Sequence, residues 1–257
     1  MPHQFEGKLL GAPFIVLQSV DSTNNYAMAK VHEGVAQHGT TWFALSQTAG
    51  KGQRNKSWTS ETGANIIMSI VINPEPLKPT QIFQLSGCIT VAVYEFFKNF
   101  AGNETKIKWP NDIYWRDRKA AGILIENSIR SGDKDAGSVW QWAIVGIGMN
   151  INETTFPSDL HNPVSLKQIT GNSYDPVVLA KQLCKYLNLY FKKLINNGFQ
   201  EILETYNYNL YKKAELVRLK KENRIFSATV KIVSPTGQLI VDHGIEEMLD
   251  FGDVQWL

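Results

Sequence analysis

The alternation of apolar and polar residues at the start of the chain predicts strands, one helix and a long loop. Three segments run or alternate apolar and are rich in β-branched residues, which is typical of strands. They are Phe14 to Ser19, Thr41 to Gln47 and Ile66 to Ile72. Asp21 to Thr23 offers helix-capping side chains, and the helix that begins there would stop at Gly34. Residues 48–64 are polar and punctuated by glycine, which predicts a loop.

The middle of the chain predicts a long helix, further strands and two more helices. Apolar residues recur every three or four positions from Ile82 to Phe100, which is the stripe of an amphipathic helix. The strands that follow are predicted at 106–109, 112–115, 120–126 and 140–151. Arg116 to Arg118 forms a hairpin turn between two of them, so the sheet should be largely antiparallel. Helices predicted at 176–197 and 199–211 would cover one sheet face.

After Lys213 the pattern changes to five short strands separated by turn residues. Such short strands in close succession suggest a small β-barrel. We therefore predict two domains, a larger one at 1–212 and a small C-terminal β-barrel at 213–257. The linker between them is not enriched in proline or glycine, so we expect the domains to pack together.

Composition and charge exclude several classes of protein. A formal net charge of +2 is too small for a protein that neutralises many phosphates, so duplex nucleic acid is not an expected partner. No apolar run approaches the roughly 18 residues that a membrane span needs. Cys88 and Cys184 lie far apart in the sequence without metal-ligand spacing, which favours a reduced, cytoplasmic setting. The N-terminus resembles neither a signal peptide nor a transit peptide.

The predicted loop carries the residues that a nucleotide site needs. Gly50 and Gly52 would let the backbone approach an anion closely. Positive charge and a flat stacking surface come from Lys51, Arg54, Lys56 and Trp58. Composition alone is equally consistent with a solvated basic surface loop.

Two further segments are candidates for chemistry. In KWPND, Lys108 to Asp112, proline forces a bend, and Asn111 and Asp112 could orient an amine or a magnesium ion, although the pair is also ordinary turn chemistry. Lys119 enters a buried strand and could neutralise charge on a phosphate, unless it is only an edge lysine. Gly146 to Asn150, GIGMN, permits close approach of a ligand, but it is not the dinucleotide fingerprint. No phosphate-loop, zinc-protease or serine-hydrolase motif is present.

Taken in order, these segments resemble the biotin protein ligase family, in a short form that lacks the N-terminal DNA-binding domain. The matching segments are DSTN at 21–24, QTAGKGQRNKSW at 47–58, KWPND at 108–112, RKAAGIL at 118–124 and GIGMN at 146–150. The resemblance covers about residues 14–250. It implies an α/β fold, with a mixed sheet backed by helices as in class II aminoacyl-tRNA synthetases and lipoate ligases, plus the small barrel.

The resemblance also implies a reaction: biotin and ATP form biotinyl adenylate, and biotin then passes to a lysine of a biotin carboxyl carrier protein. The implied biotin contacts are Ser22, Thr23, Asn24, Gln47 and Gly122. The loop residues Gly50, Lys51, Gly52, Gln53 and Trp58 would close over the adenylate, with Asn111 and Asn150 among the other ligand contacts. Lys119 would steady the carboxylate and the α-phosphate, and Asp112 would orient the acceptor lysine. Magnesium would arrive with the nucleotide.

The loop departs from the family pattern at two positions, where it has less positive charge and fewer hydrogen-bond donors than relatives with arginine. Relatives commonly have GRGR where this chain has GKGQ, so Lys51 and Gln53 replace two arginines. We expect Arg54 or Lys56 to take over the role of the missing charge, or the adenylate to leak more readily. Repression is not expected, because the first core strand begins at Phe14 and leaves no room for a helix-turn-helix. The oligomeric state, monomer or homodimer, is open.

Two alternatives stay open at the level of sequence. A lipoate or octanoate ligase would share the fold and the adenylate chemistry, but it would need a long apolar tunnel for its substrate. A noncatalytic binding module on the same scaffold is the other alternative, because a fold does not determine a function. Lys119 and Asp112 argue against that module.

Overall fold

The larger of two sheets contains seven strands in a computed structural model that describes residues 9–131, 137–158, 160 and 162–257. Its strands are β1 (Phe14–Val20), β2 (Thr41–Gln47), β3 (Ile66–Ile72), β4 (Thr105–Lys108), β5 (Asp112–Trp115), β6 (Arg118–Arg130) and β7 (Val139–Met149). They lie in the order β1-β2-β3-β7-β6-β5-β4. Only β1 and β2 pair in parallel, so the prediction of a mixed, largely antiparallel sheet is confirmed.

Helices cover the two faces of this sheet unequally. The helices are α1 (Thr23–His32), α2 (Ile82–Ala101), α3 (Leu166–Thr170), α4 (Pro176–Ile195) and α5 (Phe199–Tyr208). Apolar residues of α2, α4 and α5 form the main core with one sheet face, whereas Ala27 of α1 packs with Val71 and Ile144 on the other face. Successive strand residues point to opposite faces, so odd-numbered β7 residues such as Val145 enter the main core. From Trp142 onward, the even-numbered β7 residues therefore face the α1 side, whereas Trp140, beyond an irregularity in the β6–β7 pairing, belongs to the main core.

The second sheet follows the helices. It contains β8 (Leu216–Lys221), β9 (Arg224–Val233), β10 (Leu239–Asp242), β11 (Glu246–Leu249) and β12 (Val254–Trp256). These five strands pair antiparallel in the order β11-β10-β9-β8-β12. The prediction of five short strands is confirmed. Among the described residues β11 and β12 are the edges and do not pair with each other, so the sheet does not close into a barrel.

Some elements differ from the prediction. Strand β6 extends beyond the predicted 120–126 because its outer residues pair with β7, whereas β7 ends at Met149, before the predicted end at 151. Helix α3 was not predicted, although Ser165 and Gln168 form the capping box that marks a helix start. The loop at 48–64 is partly ordered by a bridge between Lys51 and Ser57. No helix in the described part of the chain is long and apolar enough to cross a membrane.

Candidate active site

On the face of the larger sheet that packs against α1, two paired positions are glycines, so this patch of the sheet is bare backbone. Gly122 of β6 pairs with Gly148 of β7, and both residues face the same side. The indole of Trp58 covers them: a Cβ atom at position 148 would lie 2.4 Å from Trp58 Cε2, and one at position 122 would lie 3.3 Å from Cζ3. Trp58 Nε1 is buried there without a hydrogen-bond partner among the described residues. The glycines thus form a flat surface beneath an aromatic ring.

A buried polar cluster borders this surface at the start of α1. Ser22, Thr23 and Asn24 are almost fully buried. The backbone N–H and the hydroxyl of Thr23 donate to Gln47 Oε1, at 2.7 and 3.1 Å. Asn24 Nδ2 donates to Glu126 Oε2 at 2.8 Å. These groups hold one another in fixed orientations, as a site with few but well-placed polar groups requires.

Two members of the polar cluster, Ser69 and Glu126, were not among the predicted site residues. Ser69 Oγ lies 2.7 Å from Thr23 Oγ1 and 2.6 Å from Asn24 Oδ1. A polar residue inside the otherwise apolar strand IIMSIVI, and a carboxylate at the end of AGILIE, were signals that could have identified them. Gly146 is part of the same arrangement, since a Cβ there would lie 2.3 Å from Asn24 Oδ1.

The loop that carries Trp58 is a narrow hairpin. The N–H of Trp58 donates to the carbonyl of Gly50 at 2.8 Å, and that of Gly52 donates to Lys56 at 2.6 Å. Its tip is a 3₁₀ turn, Gln53–Asn55. Only glycine fits at position 50, where a Cβ would lie 2.2 Å from the carbonyl oxygen of Trp58. Hydrogen bonding and this close packing therefore join Trp58 directly to the opposite arm of the hairpin.

Two charged contacts of the loop connect it with the rest of the protein. Lys51 Nζ lies 3.6 Å from Glu126 Oε1, which joins the loop to the polar cluster. Arg54, at the tip, contacts Phe251, which follows β11 of the second sheet, with its guanidinium carbon 5.1 Å from the ring centre. Gln53, beside it, is half-buried. The structure thus brings Lys51 to the polar cluster and Arg54 to the second sheet.

An ion pair lies at the opposite end of the glycine surface. Lys119 Nζ is 2.7 Å from Asp112 Oδ1, and both side chains are partly exposed. A Cβ at position 122 would be 3.3 Å from the same Nζ, so the ammonium lies directly beside the surface. A compact cation there can neutralise negative charge that develops on a ligand. A carboxylate such as that of Asp112 can accept a proton or orient an amine.

Asn111 and Asn150 are both buried and engaged with backbone groups. Asn111 Nδ2 donates to the carbonyl of Ile123, and Asn150 Nδ2 donates to that of Val164 at 3.2 Å. Each therefore fixes the strands behind the site. The backbone N–H of Asn150 also donates to the carbonyl of Ala120. Because Ala120 is next to Lys119, this bond supports the lysine's backbone.

Lys108, the first residue of KWPND, lies in an aromatic cage beside the ion pair. Its Nζ is 4.6 Å from the ring centre of Tyr114, 5.6 Å from that of Tyr211 and 5.3 Å from that of Trp256. Burial lowers the pKa of Lys108 below its ordinary value, and the charge of Asp112 partly opposes that shift. Lys108 thus joins the larger sheet to β12, the last strand of the second sheet.

No group of three or more histidine, cysteine, aspartate or glutamate side chains that could hold a metal occurs within the described ranges. The features present are instead a polar cluster, a glycine surface covered by a tryptophan, a loop with cations and a Lys119–Asp112 pair. They surround one patch of the larger sheet, and hydrogen-bonding groups, an aromatic ring and cations in such an arrangement can bind an acid and a nucleotide and can stabilise charge between them.

Comparison with known proteins identifies the family. The model of the Biotin/lipoate A/B protein ligase family matches residues 16–150, which include the polar cluster, the loop, the ion pair and both glycine strands. The chain belongs to this family.

Individual relatives agree with this assignment. The bifunctional ligase/repressor BirA of Escherichia coli is 34% identical over 186 residues, covering 72% of this chain and 55% of BirA, so this chain spans about half the length of that relative. A biotin acetyl-CoA-carboxylase ligase of Paracoccus denitrificans is 29% identical over 242 residues, covering 91% and 90% of the two chains. The solved biotin protein ligase of Aquifex aeolicus, in complex with biotin and ATP, has a TM-score of 0.78 at 25% identity, covering 95% and 98%.

Proposed function

We propose that this protein is a biotin protein ligase that forms biotinyl adenylate and transfers biotin to a lysine of a biotin carboxyl carrier protein. The observation that carries the proposal is the position of the Lys119–Asp112 pair at one end of the glycine surface and of the buried polar cluster at the other. A bicyclic acid with a polar ring would bind its ring at the cluster. Its carboxylate would then point toward Lys119.

The first step joins biotin to AMP. A carboxylate oxygen of biotin attacks the α-phosphorus of ATP, and the bond from that phosphorus to the pyrophosphate oxygen breaks. Lys119 stabilises the charge on the carboxylate and the α-phosphate. Trp58 and its loop exclude water from the mixed anhydride, which hydrolysis would otherwise destroy. Magnesium bound to the nucleotide would offset the negative charge of its phosphates.

The second step transfers the biotinyl group. The ε-amine of the carrier lysine attacks the carbonyl carbon, an amide bond forms, and AMP leaves with the electron pair of the broken C–O bond. Asp112 orients the amine and receives its proton. We assign this chemistry to residues 1–212 as the catalytic domain, with residues 213–257 as a small second domain.

Mass spectrometry of a carrier domain tests the proposal. The protein is incubated with ATP, magnesium, carrier domain and biotin, with lipoate and octanoate in parallel reactions. We expect only biotin to add, Lys119→Ala to abolish the gain, and Lys185→Ala on the exposed side of α4 to leave it unchanged. Addition of lipoate or octanoate instead would show that the polar cluster binds another acid. No addition with any acid would favour a noncatalytic binding module.

A further inference from the structure

The turn between β11 and β12 reaches over the active-site loop. Residues 250–253 form this turn, in which the N–H of Asp253 donates to the carbonyl of Asp250 at 3.0 Å. Gly252 has φ +108°, a conformation that side chains other than hydrogen rarely permit. Phe251 is half-exposed, and its ring packs edge-on against Trp109 of the KWPND corner, with centroids 6.3 Å apart. The turn is therefore fixed relative to the catalytic sheet.

The second sheet has a further anchor on the same corner. Trp109 Nε1 donates to the carbonyl of Gly237 at 2.8 Å, and Asn207 bonds both backbone groups of Val233. A Cβ at position 237 would lie 2.6 Å from the ring of Phe83, so the turn between β9 and β10 approaches helix α2 closely there. These contacts set the position of Phe251 independently of the loop.

Arg54 is the loop residue that meets this turn. Its guanidinium carbon lies 5.1 Å from the centre of the Phe251 ring. One guanidinium nitrogen is so close to Gly252 that a Cβ there would lie 2.1 Å from it. Arg54 itself has φ 54°, so the loop backbone adopts a left-handed conformation that directs this side chain to the turn. Position 252 thus favours glycine for two reasons. Its φ is positive, and a side chain there would displace the Arg54 guanidinium.

We propose that Phe251 and Gly252 are positioning residues that hold Arg54 and thereby keep the Gly50–Trp58 hairpin closed over the adenylate. The hairpin is narrow, so fixing its tip also fixes Trp58 over Gly122 and Gly148. The second sheet would then act in the reaction through the loop without touching the reacting atoms. This inference rests on the proposed ligase function.

Removal of the ring tests the inference. A partly exposed contact between a cation and an aromatic ring contributes about 0.5–1 kcal/mol, which corresponds to an increase of about two- to fivefold in the open population of the loop. For Phe251→Ala we expect two rates to rise about two- to fivefold. One is the rate at which biotinyl adenylate is released without carrier, and the other is the rate of tryptic cleavage at Lys51 and Lys56. Phe251→Tyr should restore both, and the far-UV spectrum and thermal midpoint should stay native.

Two further variants make the test specific. Met248→Ala removes an exposed side chain of the preceding strand, β11, and should change neither quantity. Arg54→Ala should raise both, and its combination with Phe251→Ala should add nothing further, because both changes break one contact. Native values for Phe251→Ala, or additive effects in the double variant, would overturn the inference. If the native protein makes no adenylate from biotin, the proposed function fails, while the cleavage measurement still decides whether Phe251 holds the loop.

Discussion

The absence of side chains at two positions shapes the candidate site as much as the polar residues do. Gly122 and Gly148 leave a flat area on adjacent strands, and Trp58 lies against both. A methyl group at position 148 would overlap the indole. The two glycines therefore determine how closely the indole can approach the sheet, so their identity bears directly on the position of Trp58 in the candidate site.

Gly148→Ala should therefore displace Trp58 and weaken closure. We expect the KM for biotin or ATP to rise about tenfold, which is a loss of about 1.4 kcal/mol in binding. Steady-state kinetics of carrier biotinylation would measure it. Gly87→Ala is the matched control, since the nearest atom to a Cβ there is 3.8 Å away. A native KM in Gly148→Ala would show that the ring moves aside without cost.

Substitution of Gln53 should change the rate at which the adenylate is released. It stands where relatives of the resembled family have arginine, and a hydrogen bond to a charged group contributes about 1.5–3 kcal/mol. Gln53→Arg should therefore slow adenylate release without carrier by about tenfold or more. Gln53→Met, which has similar length and no charge, should release it at the native rate or faster. Equal release rates for the native protein and Gln53→Arg would contradict this prediction.

At the scale of elements, α2 contains a glycine whose side-chain position is free. A Cβ at position 87 would make ordinary contacts with the rings of Phe83 and Phe199. Alanine is favoured over glycine in a helix interior by about 0.5–1 kcal/mol, so Gly87→Ala should raise the free energy of unfolding by that amount. Urea denaturation measures it. Gly102→Ala, at the helix end with φ +79°, should lower stability instead.

The elements were predictable wherever one periodicity extended over a whole segment. Strand β3 is buried at every position, and α2 carries an unbroken apolar stripe, so the sequence alone located both. Helix α3 is too short for periodicity, and only the capping box of Ser165 and Gln168 marks it. Residues 127–130, the outer end of β6, are held by pairing with β7, which the apolar pattern of β6 alone does not reveal.

The candidate site was predictable in its motifs and less so in its contacts. Each predicted segment contributes residues to the candidate site. Lys119 and Asp112 form an ion pair although they belong to different strands. Ser69 and Glu126 were missed because they act through Thr23 and Asn24, and such partners depend on the packing of α1 on the sheet. The contact of Arg54 with Phe251 joins residues far apart in sequence, so no local pattern could indicate it.

At the scale of the whole molecule, the two sheets share one buried apolar cluster, which includes Leu187 of α4 and Val230 of β9. Inside or beside this cluster lie thiols and phenols whose pKa values are all raised, with burial as the largest cause. They are Cys88, Cys184, Tyr94, Tyr114, Tyr190, Tyr206 and Tyr211. These groups keep their protons in the folded protein at pH values where the unfolded chain loses them.

Stability should consequently fall as the pH rises above about 9. Burial raises the pKa of Cys184 from 9.0 to about 12, so the unfolded chain binds fewer protons than the native protein in that interval. Each thiol that ionises only on unfolding removes about 1.4 kcal/mol per pH unit. Lys108 acts in the opposite direction, because its lowered pKa adds stability as pH rises toward 10.5, but the raised acids outnumber it.

Urea unfolding at pH 8, 9 and 10, followed by far-UV circular dichroism, would measure this dependence. We expect the free energy of unfolding to decrease at each step. Cys184→Ala should start from a lower stability and decrease less steeply, because one of the ionising groups is gone. Comparison of slopes therefore separates proton linkage from the cost of the smaller side chain. A stability that is independent of pH between 8 and 10 would show that the buried thiols and phenols do not control alkaline unfolding.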